Sequence, residues 1–186
     1  MKDLNCLVTG ASTGIGKHIS IELSKFAKHI YIIARNLKKL ENVYDKIIQN
    51  NCNCTIVPLD LCENSSIENL SLEVFKKDKS LDILISSAGG IFSLSPIDSI
   101  NLTEFQNILD LNYLANFRLM KNFHPLLKNS KNSHFATISS VNSSKKSHYW
   151  GVYQPVMTAL NELVRMYANE NINTSIKANV FCPSAV

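Results

Sequence analysis

Three glycines lie at short spacing near the start of the chain, between an apolar run and a helical pattern. The run Leu4–Val8 leads into Thr9-Gly10-Ala11-Ser12-Thr13-Gly14-Ile15-Gly16. Gly10 permits a tight reversal, Gly14 lets backbone N–H groups approach an anion, and Gly16 lets the helix pack closely on the strand. A helix N-terminus adds free N–H donors and a partial positive charge. The stretch therefore predicts a pyrophosphate site, and a plain glycine turn is the alternative.

Polar side chains follow the next two predicted strands. Arg35 stands where an acid would accept bonds from the ribose hydroxyls of NAD, and a guanidinium there favours the 2′-phosphate of NADP. Asp60 could accept a bond from the adenine amine. A solvated arginine and a plain cap before a helix remain the alternatives for these two residues. Small residues after the fourth strand, Ser87-Ala88-Gly89, would let a dinucleotide lie across the backbone.

Two further residues stand out on helical stripes. Asn112 lies on the apolar stripe of the fourth predicted helix, where an amide without partners would cost about 1–3 kcal/mol. It either holds a kink or a water, faces a cleft, or is a satisfied core asparagine. Tyr153 stands at the tip of the last predicted helix, thirteen positions after Ser140, and its stripe by itself predicts a packing face.

Strands and helices that alternate along the chain must position these residues. This order predicts an α/β fold with a doubly wound parallel sheet of Rossmann type, in one domain over residues 1–186. Ligands of such sheets bind at the carboxyl ends of the strands. Asn101 with Glu104, and Ser65 with Glu68, look like helix N-caps with a returning acid. The predicted strands are Leu4–Val8, His29–Ala34, Thr55–Leu59, Leu81–Ser86, Ser133–Ser139 and Ser175–Phe181, and the predicted helices are Ile15–Lys28, Leu37–Asn50, Ser66–Lys77, Leu102–Lys128 and Val152–Asn169.

Composition narrows the functional classes. The net charge of +4 comes from scattered lysines, so neither a nucleic-acid face nor a membrane partner is expected. No apolar run approaches the roughly 18–20 residues that span a bilayer. Five cysteines without a CxxC pair predict no metal site. The odd cysteine count, with no signal peptide, indicates reduced thiols and a cytoplasmic protein.

The joint order and spacing of these motifs resemble the short-chain dehydrogenase/reductase family over almost the whole chain. Thr9 to Gly16 is similar to the family's TGxxxGxG turn, and the Ser140–Tyr153 spacing is the family's serine-to-tyrosine spacing. Ser87 replaces the family's asparagine before Ala-Gly, and Ser184 replaces its glycine after Pro183. The resemblance implies that these residues contact the dinucleotide: Gly10, Ser12, Thr13, Gly14, Ile15, Gly16, Arg35, Asp60, Leu61, Ser87, Ala88, Gly89 and Pro183.

The resemblance also implies the chemistry, which is carbonyl reduction or alcohol oxidation on a small-molecule substrate with NADP(H), more than NAD(H), as hydride carrier. Tyr153 would be the general acid/base, Ser140 would hydrogen-bond the substrate oxygen, and Asn112 would support a proton relay.

Met157 departs from the family, because it stands where the Tyr-x-x-x-Lys motif has lysine. A lysine cation lowers the tyrosine pKa and bonds the nicotinamide ribose. A pKa lowered by roughly 1–3 units raises the phenolate fraction at neutral pH about 10- to 1000-fold. We therefore expect weak or absent turnover with a pH optimum moved upward. Lys145 or Lys146 could substitute, although both are expected to face solvent.

The end of the sequence is the second departure. Family members usually continue with a further helix and strand, whereas this chain stops at Ala185-Val186. We expect the C-terminal substrate segment to be absent, as in a fragment or a truncated reading frame. Strand six would then be an exposed edge that could pair with a second copy in a homo-oligomer.

Three functional hypotheses follow from the sequence. The first is an NADP(H)-dependent oxidoreductase whose rate is impaired by Met157. The second is a non-catalytic dinucleotide-binding protein, a pseudoenzyme or sensor, which the loss of the lysine favours. The third is a decaying fragment without function.

Overall fold

A computed structural model describes residues 3–91, 93–144 and 148–184 of the chain. Six parallel strands form one sheet in the order β3-β2-β1-β4-β5-β6. The strands are β1 (Leu4–Thr9), β2 (Ala27–Ala34), β3 (Asn53–Pro58), β4 (Ile83–Ser86), β5 (Ser133–Ile138) and β6 (Ile176–Phe181). The helices are α1 (Gly14–Leu23), α2 (Leu37–Ile48), α3 (Asn64–Asp78), α4 (Leu102–Leu109), α5 (Ala115–Asn129) and α6 (Tyr153–Glu170). The predicted doubly wound α/β sheet is confirmed.

The two faces of the sheet hold two separate cores. Cys6 and Ile30 belong to the core that packs with α1 and α2. Leu7 and Phe135 belong to the core that packs with α3, α5 and α6. Because side chains alternate between the faces of a strand, strands covered on both sides are apolar throughout. The strand order reverses between β1 and β4, and that reversal marks the crevice where such sheets bind ligands.

Several predicted element boundaries are wrong, among them the end of the first helix and the start of the third. The first helix ends at Leu23 rather than Lys28, because Ser24 caps its end and Ala27 already begins β2. Phe26, which lies within the predicted helix Ile15–Lys28, is 64% exposed in the intervening turn. Ser65 is not an N-cap, because α3 begins at Asn64 after Glu63.

The long fourth helix is interrupted, and its predicted cap is confirmed in part. One π-helical turn, Asp110–Leu114, lies between α4 and α5. The side-chain oxygen of Asn101 accepts a bond from the backbone N–H of Glu104 at 2.8 Å, as predicted for an N-cap. The Glu104 carboxylate does not return to the cap, because it accepts a bond from the Ser93 hydroxyl.

The expected position of strand six is confirmed. Within the described part of the chain, β6 pairs with β5 alone and lies at the edge of the sheet. Phe181 at its end is 57% exposed.

Candidate functional site

A cleft of about 700 Å³ opens at the carboxyl ends of the central strands. All predicted dinucleotide contacts except Gly16 and Pro183 line this cleft. The lining also includes residues outside the predicted set: Ile33, Ala34, Asn36, Lys39, Leu59, Leu111 and Ile138. The structure therefore brings the glycine turn, the second and third strand ends and the loop after β4 into one cavity.

The three glycines of the turn lie at positions where the predicted tight turn, open anion site and close helix packing require a residue without a side chain. Gly10 has a φ of +64°, and a Cβ added there would lie 2.8 Å from the Ala88 nitrogen. A Cβ on Gly16 would lie 2.4 Å from the Gly10 carbonyl oxygen, so Gly16 packs beneath the turn rather than in the cleft. A Cβ on Gly14 would meet nothing within 4 Å, because the space above it is open. Gly14 also begins α1, whose first N–H groups have no acceptor within the helix. The turn thus leaves an open cradle of N–H donors that fits a pyrophosphate.

Thr9 joins the glycine turn to the loop after β4. Its hydroxyl oxygen accepts bonds from the backbone N–H groups of Ser87 (3.1 Å) and Ala88 (3.2 Å). Thr9 itself is fully buried. Because one side chain holds both segments, the two walls of the cleft keep a fixed separation.

Two cations and one carboxylate lie at the far end of the cleft. A guanidinium nitrogen of Arg35 lies 3.9 Å from an Asp60 carboxylate oxygen, and the Arg35 side chain is 78% exposed. The other Asp60 oxygen accepts a bond from the Cys62 N–H at 2.9 Å, so Asp60 also stabilises the turn before α3. Lys39 lies in the first turn of α2, which Asn36 caps by accepting a bond from the Lys39 N–H at 2.9 Å. The sequence alone does not separate Lys39 from its neighbour Lys38, because both are lysines in the first turn of α2.

Asn112 is a satisfied buried asparagine in the π-helical turn. Its side-chain oxygen accepts a bond from the Gly90 N–H at 3.0 Å. Its side-chain nitrogen donates to the carbonyl oxygens of Gly90 (3.0 Å) and Ile108 (2.9 Å). Its backbone carbonyl accepts a bond from the Asn116 side chain at 2.9 Å. The satisfied-core alternative is thus observed for Asn112, and the neighbouring Leu111 lines the cleft.

Tyr153 and Ser140 meet at the same edge of the sheet. Tyr153 begins α6 and is half-buried, and a side-chain hydrogen bond joins it to Ser140. Burial raises the pKa of Tyr153 above its ordinary value of 10.0, while the Ser140 bond acts in the opposite direction. Tyr153 does not itself line the cleft, but Ser140 lies two residues after Ile138, which does. The Trp150 ring packs edge-on against Tyr153 with 5.6 Å between ring centroids.

Met157 lies one helical turn after Tyr153 and is 3% exposed. It packs in the core formed with α3 and α5. Burial and Ser140 are the influences on the Tyr153 pKa within the described part of the chain, and none of the cations described there lowers it. Lys145 and Lys146, the two candidate substitutes, lie outside the described residues.

Pro183 lies beside the cleft rather than in it. It lines an apolar recess of about 440 Å³ together with Ile15 and Ile138, which also line the cleft. Its carbonyl oxygen accepts a bond from the Val141 N–H at 3.3 Å. Pro183 thus fixes the start of the segment that follows Ser140.

Neither a metal-type cluster nor a membrane-spanning helix occurs in the part of the chain that the structure describes. Among residues 3–91, 93–144 and 148–184, no three His, Cys, Asp or Glu side chains cluster in a way that could hold a metal ion. None of the helices in those ranges combines the length and apolar character needed to cross a membrane.

Comparison with known proteins agrees with the fold and identifies the family. The sequence profile described as short chain dehydrogenase matches residues 5–186. The fatty acyl-CoA reductase of Acinetobacter baylyi is 28% identical over 179 residues, covering 95% of this chain and 61% of that protein. An uncharacterized oxidoreductase of Staphylococcus epidermidis is 25% identical over 186 residues, covering 100% of this chain and 79% of that protein.

Solved structures share the same fold. The alcohol dehydrogenase of the archaeon Thermococcus sibiricus, solved with 5-hydroxy-NADP, matches with a TM-score of 0.91 and 25% identity. The match covers 98% of this chain and 77% of that one. The chain belongs to the short chain dehydrogenase family.

Proposed function

We propose that the chain is an oxidoreductase that binds NADP(H) in the cleft and interconverts a carbonyl compound and an alcohol. The observation that supports this most is the continuity of the cleft. The open cradle at Gly14 lies between the cation pair at the ends of β2 and α2 and the small-residue loop after β4. An extended dinucleotide needs this order of an anion site flanked by a nucleoside site at each end.

The two cations favour NADP(H) over NAD(H). Arg35 and Lys39 both line the end of the cleft where the adenosine ribose would lie. A 2′-phosphate adds charge that both side chains could neutralise through charge-assisted hydrogen bonds. Asp60 faces Arg35 at 3.9 Å and would remain available to the adenine amine.

Ser140 and Tyr153 are the residues we assign to proton transfer. In carbonyl reduction, the Ser140 hydroxyl would orient the substrate oxygen and the Tyr153 phenol would donate a proton to it. In alcohol oxidation, the Tyr153 phenolate would have to accept that proton. When bound, the dinucleotide supplies or accepts the hydride at its nicotinamide ring. Asn112 would act by holding the loop after β4 and the π-helical turn in place.

The raised pKa of Tyr153 makes the two directions unequal. At neutral pH the phenol is protonated, so the proton needed for reduction is present. The phenolate needed for oxidation is scarce, and it becomes scarcer as the pKa rises. We therefore assign the chain a reductive direction at neutral pH.

A second candidate function is dinucleotide binding without catalysis. Met157 supports this alternative, because a buried thioether gives neither a charge to Tyr153 nor a donor to the nicotinamide ribose. Such a protein would keep the whole cleft and would lack turnover.

NADPH oxidation against a panel of aldehydes and ketones tests the proposal. We expect slow turnover that falls at least about 100-fold in Tyr153→Phe. Tyr149→Phe is the matched control, because Tyr149 is an exposed tyrosine four positions earlier. Equal rates in wild type and Tyr153→Phe would exclude the assigned role of Tyr153. Binding of NADPH without any turnover would establish the second candidate.

A further inference from the structure

A second cluster of polar side chains lies near the amino ends of β2 and β3, away from the cleft at the carboxyl ends. We call it the lower cluster, and it comprises His29, Tyr31, Thr55, Lys77 and Asp78. His29 is 4% exposed and Tyr31 is 3% exposed, so most of its polar groups must find partners inside the protein. The proposed dinucleotide chemistry uses none of these residues.

His29 lies between a carboxylate and a hydroxyl. Its Nδ1 is 3.0 Å from an Asp78 carboxylate oxygen, and its Nε2 is 2.8 Å from the Thr55 hydroxyl oxygen. A carboxylate only accepts, so Nδ1 carries the proton. The Lys77 ammonium donates to Thr55 Oγ1 at 3.3 Å and lies 3.5 Å from His29 Nε2. Since the ammonium can only donate, the Thr55 hydroxyl proton is directed to Nε2, which must be the acceptor.

Burial and the positive charge of Lys77 lower the pKa of His29, while Asp78 partly opposes them. The imidazole is therefore neutral at neutral pH and has a free lone pair toward Thr55. This is the protonation state that a general base requires.

Asp78 occupies a position that its helix disfavours. It is the last residue of α3, where the helix dipole repels a carboxylate. Bonds from His29 and from the Tyr31 hydroxyl hold it there. These bonds offset the unfavourable interaction between the Asp78 carboxylate and the helix dipole. The bond to His29 also fixes the tautomer and orientation of the imidazole.

An apolar groove adjoins Thr55. Its volume is about 410 Å³, and besides Thr55 it is lined by Tyr31, Val57, Leu70 and Val74, with the charged side chains of Glu73, Lys76 and Lys77 at its side. A hydroxyl beside a base, a cation and an apolar groove is the arrangement that acyl transfer needs.

We propose that Thr55, His29 and Asp78 form an acyl-transfer site that hydrolyses esters of short apolar carboxylic acids. Thr55 Oγ1 attacks the carbonyl carbon while its proton passes to His29 Nε2. Lys77 stabilises the negative charge that develops on the carbonyl oxygen. The ester C–O bond breaks, and the alcohol leaves with the proton from His29. Water then attacks the acyl-Thr55 ester in the same way, releasing the acid and restoring the hydroxyl. Asp78 is a positioning residue.

Hydrolysis of p-nitrophenyl acetate by the full chain tests this proposal independently of the dinucleotide site. Thr55→Val removes the hydroxyl at nearly constant volume, Thr55→Ser keeps it, and Thr103→Val changes an exposed threonine on α4. We expect p-nitrophenolate release to fall at least about tenfold in Thr55→Val and to persist in the other two variants. Peptide mass spectrometry of the wild type should find the acetyl group on Thr55.

Release at the same rate in wild type and Thr55→Val would overturn the proposal. Wild type that shows neither release above the buffer rate nor acetylation of Thr55 would also overturn it, as would acetyl groups on lysines alone. Thermal unfolding of each variant separates a lost hydroxyl from a lost fold. If Thr55→Val is unfolded, the position of the acetyl group on the wild type decides.

Discussion

Asn112 bonds both polar groups of the Gly90 backbone, accepting from its N–H and donating to its carbonyl, each at 3.0 Å. One side chain in the π-helical turn thereby ties α4 and α5 to the loop that follows β4. A Cβ on the neighbouring Gly89 would lie 2.9 Å from the same amide oxygen, so the loop and the helix are in close contact. The two hydrogen bonds between Asn112 and Gly90 fix the wall of the cleft nearest the proposed proton-transfer residues.

Asn112→Leu should destabilise the chain, because it leaves the Gly90 N–H and carbonyl without their buried partners. We expect a loss of about 1–3 kcal/mol in the free energy of unfolding for each unsatisfied group. Asn122→Leu is the control, because Asn122 donates a single bond to the Arg118 carbonyl along α5. Denaturant unfolding measures the free energy of unfolding of both variants. Equal losses would contradict a special stabilising role for the Asn112–Gly90 hydrogen bonds.

Gly10 and Gly14 should respond differently to alanine. Gly10→Ala combines a positive φ with a Cβ at 2.8–2.9 Å from backbone atoms of Ser87 and Ala88, so it should lower the melting temperature strongly. Gly14→Ala meets no atom within 4 Å and should cost only the strain of a positive φ, about 1–2 kcal/mol. Its main effect should be weaker stabilisation by NADPH, because the added methyl enters the open cradle. Similar melting temperatures for the two variants would refute the distinction between a structural role for Gly10 and a ligand-binding role for Gly14.

Arg35 and Lys39 should set the cofactor preference. Removing either cation should weaken NADPH binding about 10- to 100-fold, the range for a lost hydrogen bond between charged groups, with little effect on NADH. Lys38→Ala is the matched control, since Lys38 is an exposed neighbour outside the cleft lining. Calorimetric titration with each nucleotide measures the effect. A variant whose affinities for NADH and NADPH fall equally would show that these cations do not recognise the 2′-phosphate.

Met157→Lys should increase alcohol oxidation at neutral pH. Oxidation needs the Tyr153 phenolate, and its fraction grows tenfold for each pH unit below the pKa. Because burial holds the pKa of Tyr153 above 10.0, the wild-type oxidation rate should keep rising as the pH passes 10. A lysine cation should move this profile to lower pH by about 1–3 pH units.

Met157→Leu controls for the change in core packing, because Leu keeps the site apolar and similar in volume. The profile of this control should match that of the wild type. A Met157→Lys profile that also matches the wild type would rule out a missing cation as the cause of slow oxidation.

Much of the fold could be predicted from the sequence because apolar runs and helical stripes alternate clearly. All six strands were predicted within a few residues. The end of α1 was missed because Phe26 continues the helical spacing but lies exposed in a turn. The start of α3 was missed because Ser65 and Glu68 satisfy a capping pattern that the helix passes through. A local sequence pattern does not show at which of two neighbouring residues a helix begins, because tertiary packing decides between them.

The cleft could be predicted at the glycine turn and at strand ends, where position along the chain implies position in space. Lys39, Leu111 and Ile138 were missed because they reach the cleft from elements whose own patterns indicate only a helix face or a strand. The π-helical turn around Asn112 was missed as well, since one additional residue in a turn leaves the apolar stripe almost unchanged.

Binding of NADPH to the wild-type chain tests the central claim most directly. Thermal unfolding should shift upward with NADPH, by about 5–10 °C at a hundred times the dissociation constant, and should shift less with the same concentration of NADH. A chain that unfolds cooperatively at the same temperature with and without millimolar NADPH would contradict a dinucleotide site at Gly10, Gly14 and Gly16.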